Sequence, residues 1–146
     1  MKSCKILEHT ADARLKIEAS TLPELFEVAM EGMMSIAKES RIKNQACPTG
    51  LFRRESKIKR SIEIRSPDKT ALLVDFLNEV LYQMHVNEEI YNEVIFLEFS
   101  EIKLKAEIYG QKVDEFDEDI KAVTYHEAEV IKNDDGNFET VIVLDI

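Results

Sequence analysis

The stretch 94-VIFLEFSEIKLKAEI-108 predicts two consecutive β-strands and decides the fold class. Residues 94–99 are apolar except for Glu98. Ile102, Leu104, Ala106 and Ile108 then alternate with polar residues, which is the period of a half-buried strand. Strands that follow one another without helices between them indicate a mostly antiparallel sheet.

The strand pattern continues downstream to the last residue. Residues 120–131 predict a third strand and residues 138–146 a fourth. Asn133-Asp134-Asp135-Gly136 between them predicts a hairpin turn, because Asp-Gly readily takes positive φ. The acidic residues 114–119 lack the glycine and the closing glutamate of an EF-hand, so we interpret them as a solvated loop.

Upstream, the pattern changes to strands that alternate with helices. Thr21-Leu22-Pro23-Glu24 has capping-box spacing and predicts the start of a helix of about 16–18 residues. Ser66-Pro67 predicts the start of a second helix, whose apolar face ends near Met84. Short strands are predicted at residues 4–7, 13–19 and 58–64, and residues 41–55 are predicted to form a loop. We therefore predict an α+β fold, with a mostly antiparallel sheet, two helices packed on one face, and a single domain over residues 1–146.

Composition restricts the classes of partner. The chain has 146 residues, a net charge of −10 and 45% hydrophobic residues. A charge of −10 argues against strong direct nucleic-acid binding, which depends on Lys and Arg that neutralise phosphates. There is no apolar run long enough for a membrane span and no signal-peptide pattern, so we expect a cytoplasmic protein without a membrane partner. Cys4 and Cys47 are interpreted as reduced thiols.

Polar residues interrupt the pattern at both ends of the chain. His9-Thr10-Ala11-Asp12 lies where the opening strand meets the strand at residues 13–19, and Asp145-Ile146 ends the last strand. An ordinary turn, in which Thr10 or Asp12 bonds its own backbone, explains the first segment equally well. If the first and last strands are neighbours, Asp12, Asp145 and the α-carboxylate of Ile146 can share a divalent cation, because hard cations prefer oxygen ligands.

A third segment, Lys121-Ala122-Val123-Thr124-Tyr125-His126, lies within the strand predicted at residues 120–131. In a regular strand, Lys121 faces solvent and His126 lies on an apolar face, where we interpret it as a hydrogen-bonded core histidine. The sequence contains no Gly-rich phosphate loop, nucleophile elbow or zinc spacing.

Taken together, four segments resemble the archease family. They are His9-Thr10-Ala11-Asp12, Leu72-Leu73-Val74-Asp75-Phe76-Leu77-Asn78-Glu79-Val80-Leu81-Tyr82, Lys121-Ala122-Val123-Thr124-Tyr125-His126 and Leu144-Asp145-Ile146, in the family's order and over nearly the whole chain. The resemblance departs at Ala13-Arg14-Leu15, where smaller and less charged residues are expected. The loop at residues 114–119 is also more acidic than expected.

The resemblance implies an accessory protein in tRNA processing. Archeases activate the RNA ligase that joins exons in tRNA splicing and repairs broken RNA; they promote its guanylylation and its multiple turnover, and they are not enzymes themselves. The resemblance also implies a metal-binding site for Ca²⁺, with Mg²⁺ or another divalent cation as alternatives, on Asp12, Asp145 and Ile146. Lys121 maps to a position that contacts the ligase or its nucleotide, and His9, Thr10 and His126 lie next to the site.

Two other functions are compatible with the same residues. One is a metal-dependent phosphoester hydrolase, for which the sequence offers only His9 and Thr10 as a base or nucleophile beside the metal. The other is a chaperone-like binding module in which the ion is incidental.

Overall fold

The elements follow the order strand, strand, helix, strand, helix and then five strands within the residues that the structure describes. The computed structural model describes residues 2–7, 12–38 and 58–146. Its elements are β1 Lys2–Leu7, β2 Asp12–Ala19, α1 Leu22–Ala37, β3 Ile58–Arg65, α2 Lys69–Asn87, β4 Glu89–Phe99, β5 Lys103–Lys112, β6 Ala122–Thr124, β7 Ile131–Lys132 and β8 Phe138–Asp145. The loop predicted at residues 41–55 lies outside the described residues.

Antiparallel pairing divides these strands between two sheets. The first sheet has the order β1-β2-β8-β6, with β7 also paired to β8, and the second has the order β3-β5-β4. The longest pairing in the first sheet joins β2 to β8 in continuous register, from Asp12 opposite Asp145 to Ala19 opposite Phe138.

The predicted α+β class and antiparallel pairing are confirmed, and the strands form two sheets where a single sheet was predicted. Helix α1 contacts β1, β2 and β8 of the first sheet and β4 of the second, while α2 contacts β3 and β4 as well as β6. Alternation along a strand shows which side chains are buried, but it does not show which strand is the neighbour. One core cluster joins the two sheets and the helices.

Each helix begins at a polar cap. The side chain of Thr21 accepts a hydrogen bond from the Glu24 N–H, as the capping-box spacing predicts, and α1 has 16 residues. The cap of α2 is Asp68, which accepts from the Ala71 N–H. The predicted cap at Ser66 is wrong, because the Ser66 hydroxyl instead donates to Asp75 in the middle of α2.

The strand predicted at residues 120–131 is also wrong in its extent. Only Ala122–Thr124 and Ile131–Lys132 pair with β8, and they pair at opposite ends of that strand. Between them, the Ala128 N–H donates to the Tyr125 carbonyl across a turn at 3.1 Å. The turn predicted at residues 133–136 is confirmed, and Gly136 there has a φ of +82°.

A cluster of aromatic rings fills the space between α1, α2 and β4. The rings of Phe26 and Phe99 have centroids 5.0 Å apart at an angle of 81°, and Phe76 and Phe96 extend the cluster. Edge-to-face contacts of this kind add to the stabilisation that burial itself provides.

Two further findings bear on the composition-based predictions. Cys4 is disulfide-bonded, so the prediction of a reduced thiol is wrong there, whereas Cys47 lies outside the described residues. Among the described residues, neither helix has the length and apolar character that crossing a membrane requires.

Close packing of β5 against β4 depends on Gly110. A Cβ at this position would lie 1.8 Å from the carbonyl oxygen of Ile90, a backbone atom that cannot move aside as a side chain can.

We predict that Gly110→Ala lowers the free energy of unfolding, measured by urea denaturation, by about 3 kcal/mol. This value is in the upper part of the usual range for overpacking. Gly136→Ala is the control: nothing lies within 4 Å of its Cβ, and only the positive φ costs stability, about 1 kcal/mol. Equal losses in the two variants would contradict this account of Gly110.

A buried ion pair fixes the start of β4. Glu89 has no exposed surface, and its carboxylate accepts two hydrogen bonds from Arg60 and one from the Tyr91 hydroxyl. Burial raises the pKa of Glu89, but the hydrogen bonds from Arg60 and Tyr91 outweigh burial and hold this pKa below the ordinary 4.5. Because the folded-state pKa is the lower one, this group stabilises the fold above pH 4.5 and loses that contribution as the pH falls through the folded value.

We therefore predict that Glu89→Gln lowers the free energy of unfolding at pH 7 by about 3 kcal/mol. This value is at the lower end of the range for breaking a buried ion pair, because the Arg60 side chain is partly exposed and can still be solvated. The variant is also expected to lose less stability than the wild type between neutral and acid pH. Glu98→Gln breaks a more exposed pair with Lys103 and is expected to change stability by less than about 1 kcal/mol. Parallel pH profiles for wild type and Glu89→Gln would refute the assignment.

Candidate functional site

The end of the first sheet brings together the acidic residues that the sequence singled out. Asp12 in β2 is the register partner of Asp145 in β8, and Asp145 is in turn the partner of Ala122 in β6. The Lys121 N–H donates to the Asp145 carbonyl at 2.7 Å and fixes the entry to β6 beside them. Three strands therefore meet at Asp145.

Both carboxylates face away from the helices. Ala13 and Leu144, the next residues along each strand, belong to the buried core, and successive side chains in a strand point to opposite faces. Asp12 is half-buried and Asp145 is exposed. Residues directly opposite in an antiparallel pair have Cβ atoms roughly 4.5–5.5 Å apart, so two negative charges placed there repel each other.

The donor chemistry of this pair fits a hard divalent cation. Two carboxylates on one open face supply oxygen ligands, and a cation between them would relieve their repulsion. Ile146 follows Asp145 and is half-buried against the core, so it lies at the same end of the sheet. Within residues 2–7, 12–38 and 58–146, no three His, Cys, Asp or Glu side chains gather as a metal cluster. His9 and Thr10 lie outside the described residues.

Lys121 stands beside the carboxylates with its side chain in solvent. Its backbone N–H is used to bind Asp145, and its ammonium group forms no ion pair with any described residue. The position is exposed, as the strand pattern predicts. This leaves a positive charge at the end of the sheet for a partner to contact.

His126 lies in the turn after β6 and not in the core. Its side chain is 75% exposed, and Nε2 lies 3.6 Å from a Glu127 carboxylate oxygen. The prediction of a core histidine is wrong because β6 ends at Thr124, so the alternation of a strand does not extend to residue 126.

Sequence reasoning missed Asn78, which holds β6 from the side opposite β8. Its side-chain amide donates to the Val123 carbonyl and its side-chain oxygen accepts from the Val123 N–H, both at 2.9 Å. This pair of bonds satisfies the backbone of a three-residue strand in the way that a neighbouring strand would. The available signal was a polar residue within the apolar periodicity of α2.

Asp75, one turn before Asn78 in α2, ties down the residue after β6. Its carboxylate accepts from the Tyr125 hydroxyl at 2.5 Å and from the Ser66 hydroxyl at 2.6 Å. The hydrogen bond to Asp75, together with partial burial, raises the pKa of Tyr125, so its hydroxyl keeps the proton that it donates. Asp75 and Asn78 thus couple α2 to the segment that carries Lys121.

Two clefts lined by described residues lie next to α2. One of about 510 Å³ lies between β3 and α2, and one of about 540 Å³ lies at the start of α2 beside Tyr125. Neither is lined by Asp12, Asp145 or Lys121. The carboxylate pair therefore lies outside both of these clefts.

Comparisons with known proteins agree over nearly the whole chain. Residues 5–146 match the Archease protein family. The protein archease of Methanosarcina acetivorans is 35% identical over 153 residues, which cover 99% of this chain and 97% of that protein.

Solved structures show the same fold. The solution structure of Methanobacterium thermoautotrophicum protein 1598 has a TM-score of 0.74 at 26% identity and covers 99% of both chains. The crystal structure from Thermotoga maritima, described as that of an archease and possible chaperone, has a TM-score of 0.63 at 17% identity, covers 96% of this chain and 94% of that one, and supports the fold alone. The matched residues, the sequence identity and the coverage together show that this chain belongs to the archease family.

Proposed function

We propose that this chain is a non-enzymatic accessory protein that activates an RNA ligase of tRNA splicing and RNA repair. In this proposal it promotes guanylylation of the ligase and lets the ligase turn over repeatedly, in the cytoplasm. A divalent cation, which we propose to be Ca²⁺, binds to Asp12, Asp145 and the carboxyl group of Ile146. Membership of the archease family supports the role.

The observation that carries the proposal is the register of β2 and β8, which sets Asp12 directly opposite Asp145. These residues are far apart in sequence, and only the pairing of the two strands makes them a possible ligand pair. When bound, the cation would supply positive charge to oxygen atoms of a partner or its nucleotide. Asp12 and Asp145 would hold the cation at the protein surface.

The open position of the pair favours an activator over a hydrolase. A hydrolytic site requires a base or nucleophile in a pocket from which water is largely excluded. Asp12 and Asp145 lie instead on a sheet face where Asp145 is exposed. Such a face is accessible to the surface of another protein.

Lys121 is the residue that we propose to contact the ligase or its nucleotide. Its backbone is fixed by Asp145, and β6, directly after it, is held by Asn78. The Lys121 side chain therefore extends from a segment whose backbone is held by hydrogen bonds. An ammonium group without an ion-pair partner among the described residues suits a phosphate or a carboxylate of the ligase or its nucleotide.

We predict that Asp12→Ala and Asp145→Ala each abolish stimulation of multiple-turnover ligation, because each removes a cation ligand. Ca²⁺ affinity, measured by calorimetric titration of the purified protein, is expected to fall at least tenfold, as for loss of about 1.4 kcal/mol. Asp134→Ala, which removes an exposed carboxylate from the turn before β8, is the matched control and is expected to behave as wild type.

Three outcomes would contradict this proposal. Wild-type stimulation by both Asp variants would exclude a role for the carboxylates. Full stimulation after removal of divalent cations from the accessory protein would favour a chaperone-like module. Hydrolysis of a phosphoester by the purified chain, lost in Asp12→Ala, would favour the metal-dependent hydrolase.

A separate prediction concerns Lys121. Lys121→Ala is expected to reduce the rate of ligase guanylylation at least tenfold while Ca²⁺ affinity changes by less than about threefold, because the ammonium contacts the partner and not the ion. Lys105→Ala, at an exposed position of β5 in the second sheet, is the control for loss of a surface lysine. Equal effects of the two substitutions would remove Lys121 from the interface.

A further inference from the structure

Arg14 lies on the same sheet face as the two carboxylates. It is two residues from Asp12 along β2, and its register partner in β8 is Val143, two residues from Asp145. Same-face neighbours along a strand are roughly 6.8 Å apart and diagonal neighbours roughly 7–8 Å. A guanidinium on its long side chain therefore reaches the carboxylate pair without a change in the backbone.

The structure shows Arg14 turned to a different acidic residue. One terminal nitrogen of its guanidinium donates to the Glu127 carboxylate in a close ion pair. Its Nε is buried and has no hydrogen-bond partner among the described residues. Glu127 therefore holds Arg14 through one end of the guanidinium, while Nε is left without a partner among the described residues.

Glu127 occupies a position that is unfavourable for its residue type. Its φ is +63°, in the left-handed region where glycine and asparagine are the usual residues. The turn that contains it is fixed at Tyr125 by the hydrogen bond to Asp75 and at Glu127 by the ion pair with Arg14. A glutamate at this position has a clear use in this chain: its carboxylate neutralises the arginine beside the site.

Val143, next to Arg14 across the strand pair, is buried although it lies on the outward face. Its side chain is on the outward face and yet only 4% exposed, and it lies outside the main core cluster. Its register partners on the two sides are Arg14 and Thr124. The outward face is therefore covered at Val143 and open at Asp145, two residues further along the strand.

We propose that Glu127 sets the cation affinity of Asp12 and Asp145 by neutralising Arg14. In the wild type, Arg14 is engaged by Glu127 and the carboxylates are available to a cation. Without Glu127, Arg14 turns to the nearest remaining carboxylates and competes with the cation for them. This inference rests on the cation site of the proposed function and adds two residues that regulate it.

The size and sign of the effect follow from charge. A unit charge about 6 Å from a divalent cation, at the dielectric constant of about 80 that applies in water, changes cation binding by roughly tenfold. Removal of Glu127 therefore weakens binding, whereas removal of Arg14 strengthens it. A pair that served only to hold the turn in place would weaken binding when either member is removed.

The test is calorimetric titration of the full chain with Ca²⁺ alone at constant pH and ionic strength. Glu127→Gln is expected to weaken Ca²⁺ binding about tenfold, and Arg14→Gln to strengthen it by up to about tenfold. The double variant Arg14→Gln/Glu127→Gln has the net charge of the wild type and is expected to bind Ca²⁺ with an affinity within about threefold of the wild type. Glu129→Gln, which removes an exposed charge two residues from Glu127, is the control and is expected to change affinity by less than threefold. Urea denaturation checks that each variant is folded.

The outcomes separate this inference from the proposed function. If wild-type Ca²⁺ binding is lost in Asp12→Asn, and Glu127→Gln and Arg14→Gln shift the affinity in opposite directions, both are supported. If binding depends on Asp12 but the two variants shift it in the same direction or not at all, the inference is overturned and the cation site stands. If the wild type binds no Ca²⁺, or Asp12→Asn binds as the wild type does, the cation site and the inference both fail.

Discussion

The pairing of β2 with β8 is the interaction on which the site depends. It joins one of the first strands of the chain to the last, so most of the chain lies between the partners, and closing so long a connection costs conformational entropy that the packed core must offset. The side-chain period of a strand is two, and a slip of one residue would exchange the two faces. With Ala13 and Leu144 in the core, Asp12 and Asp145 must face outward together. The apolar pattern of two strands thus determines the position of two carboxylates.

The short strand β6 depends on side chains as well as on pairing. A strand of three residues has few ladder hydrogen bonds of its own, and it lies at an edge of the described sheet. Asn78 supplies two further hydrogen bonds, and a net contribution of about 1 kcal/mol each is typical. Asp75 holds the following residue through Tyr125. The second helix therefore contributes to the core through its apolar face and to the site through two polar residues.

Much of the fold was predictable because its signals are local. Thr21 caps α1 with the predicted geometry, and Gly136 takes the positive φ that the hairpin signal predicts. The failures have tertiary causes. Ser66 resembles a helix cap in sequence but bonds Asp75, and His126 fits a strand pattern but follows the end of β6. In the first case a side chain nine residues away took the place of the cap, and in the second the strand ended before its apolar pattern did.

The sequence by itself determined the α+β class, the helices, the final hairpin and the two places where carboxylates interrupt an apolar pattern. It did so because periodicity, caps and turns depend on residues within a few positions of one another. Only the tertiary structure decided that the strands form two sheets, that Asp12 lies opposite Asp145, and that Arg14 meets Glu127. These facts depend on which strands become neighbours and in what register. A single sequence contains the residues that make these contacts, and the packing of the whole chain selects among the possible pairings.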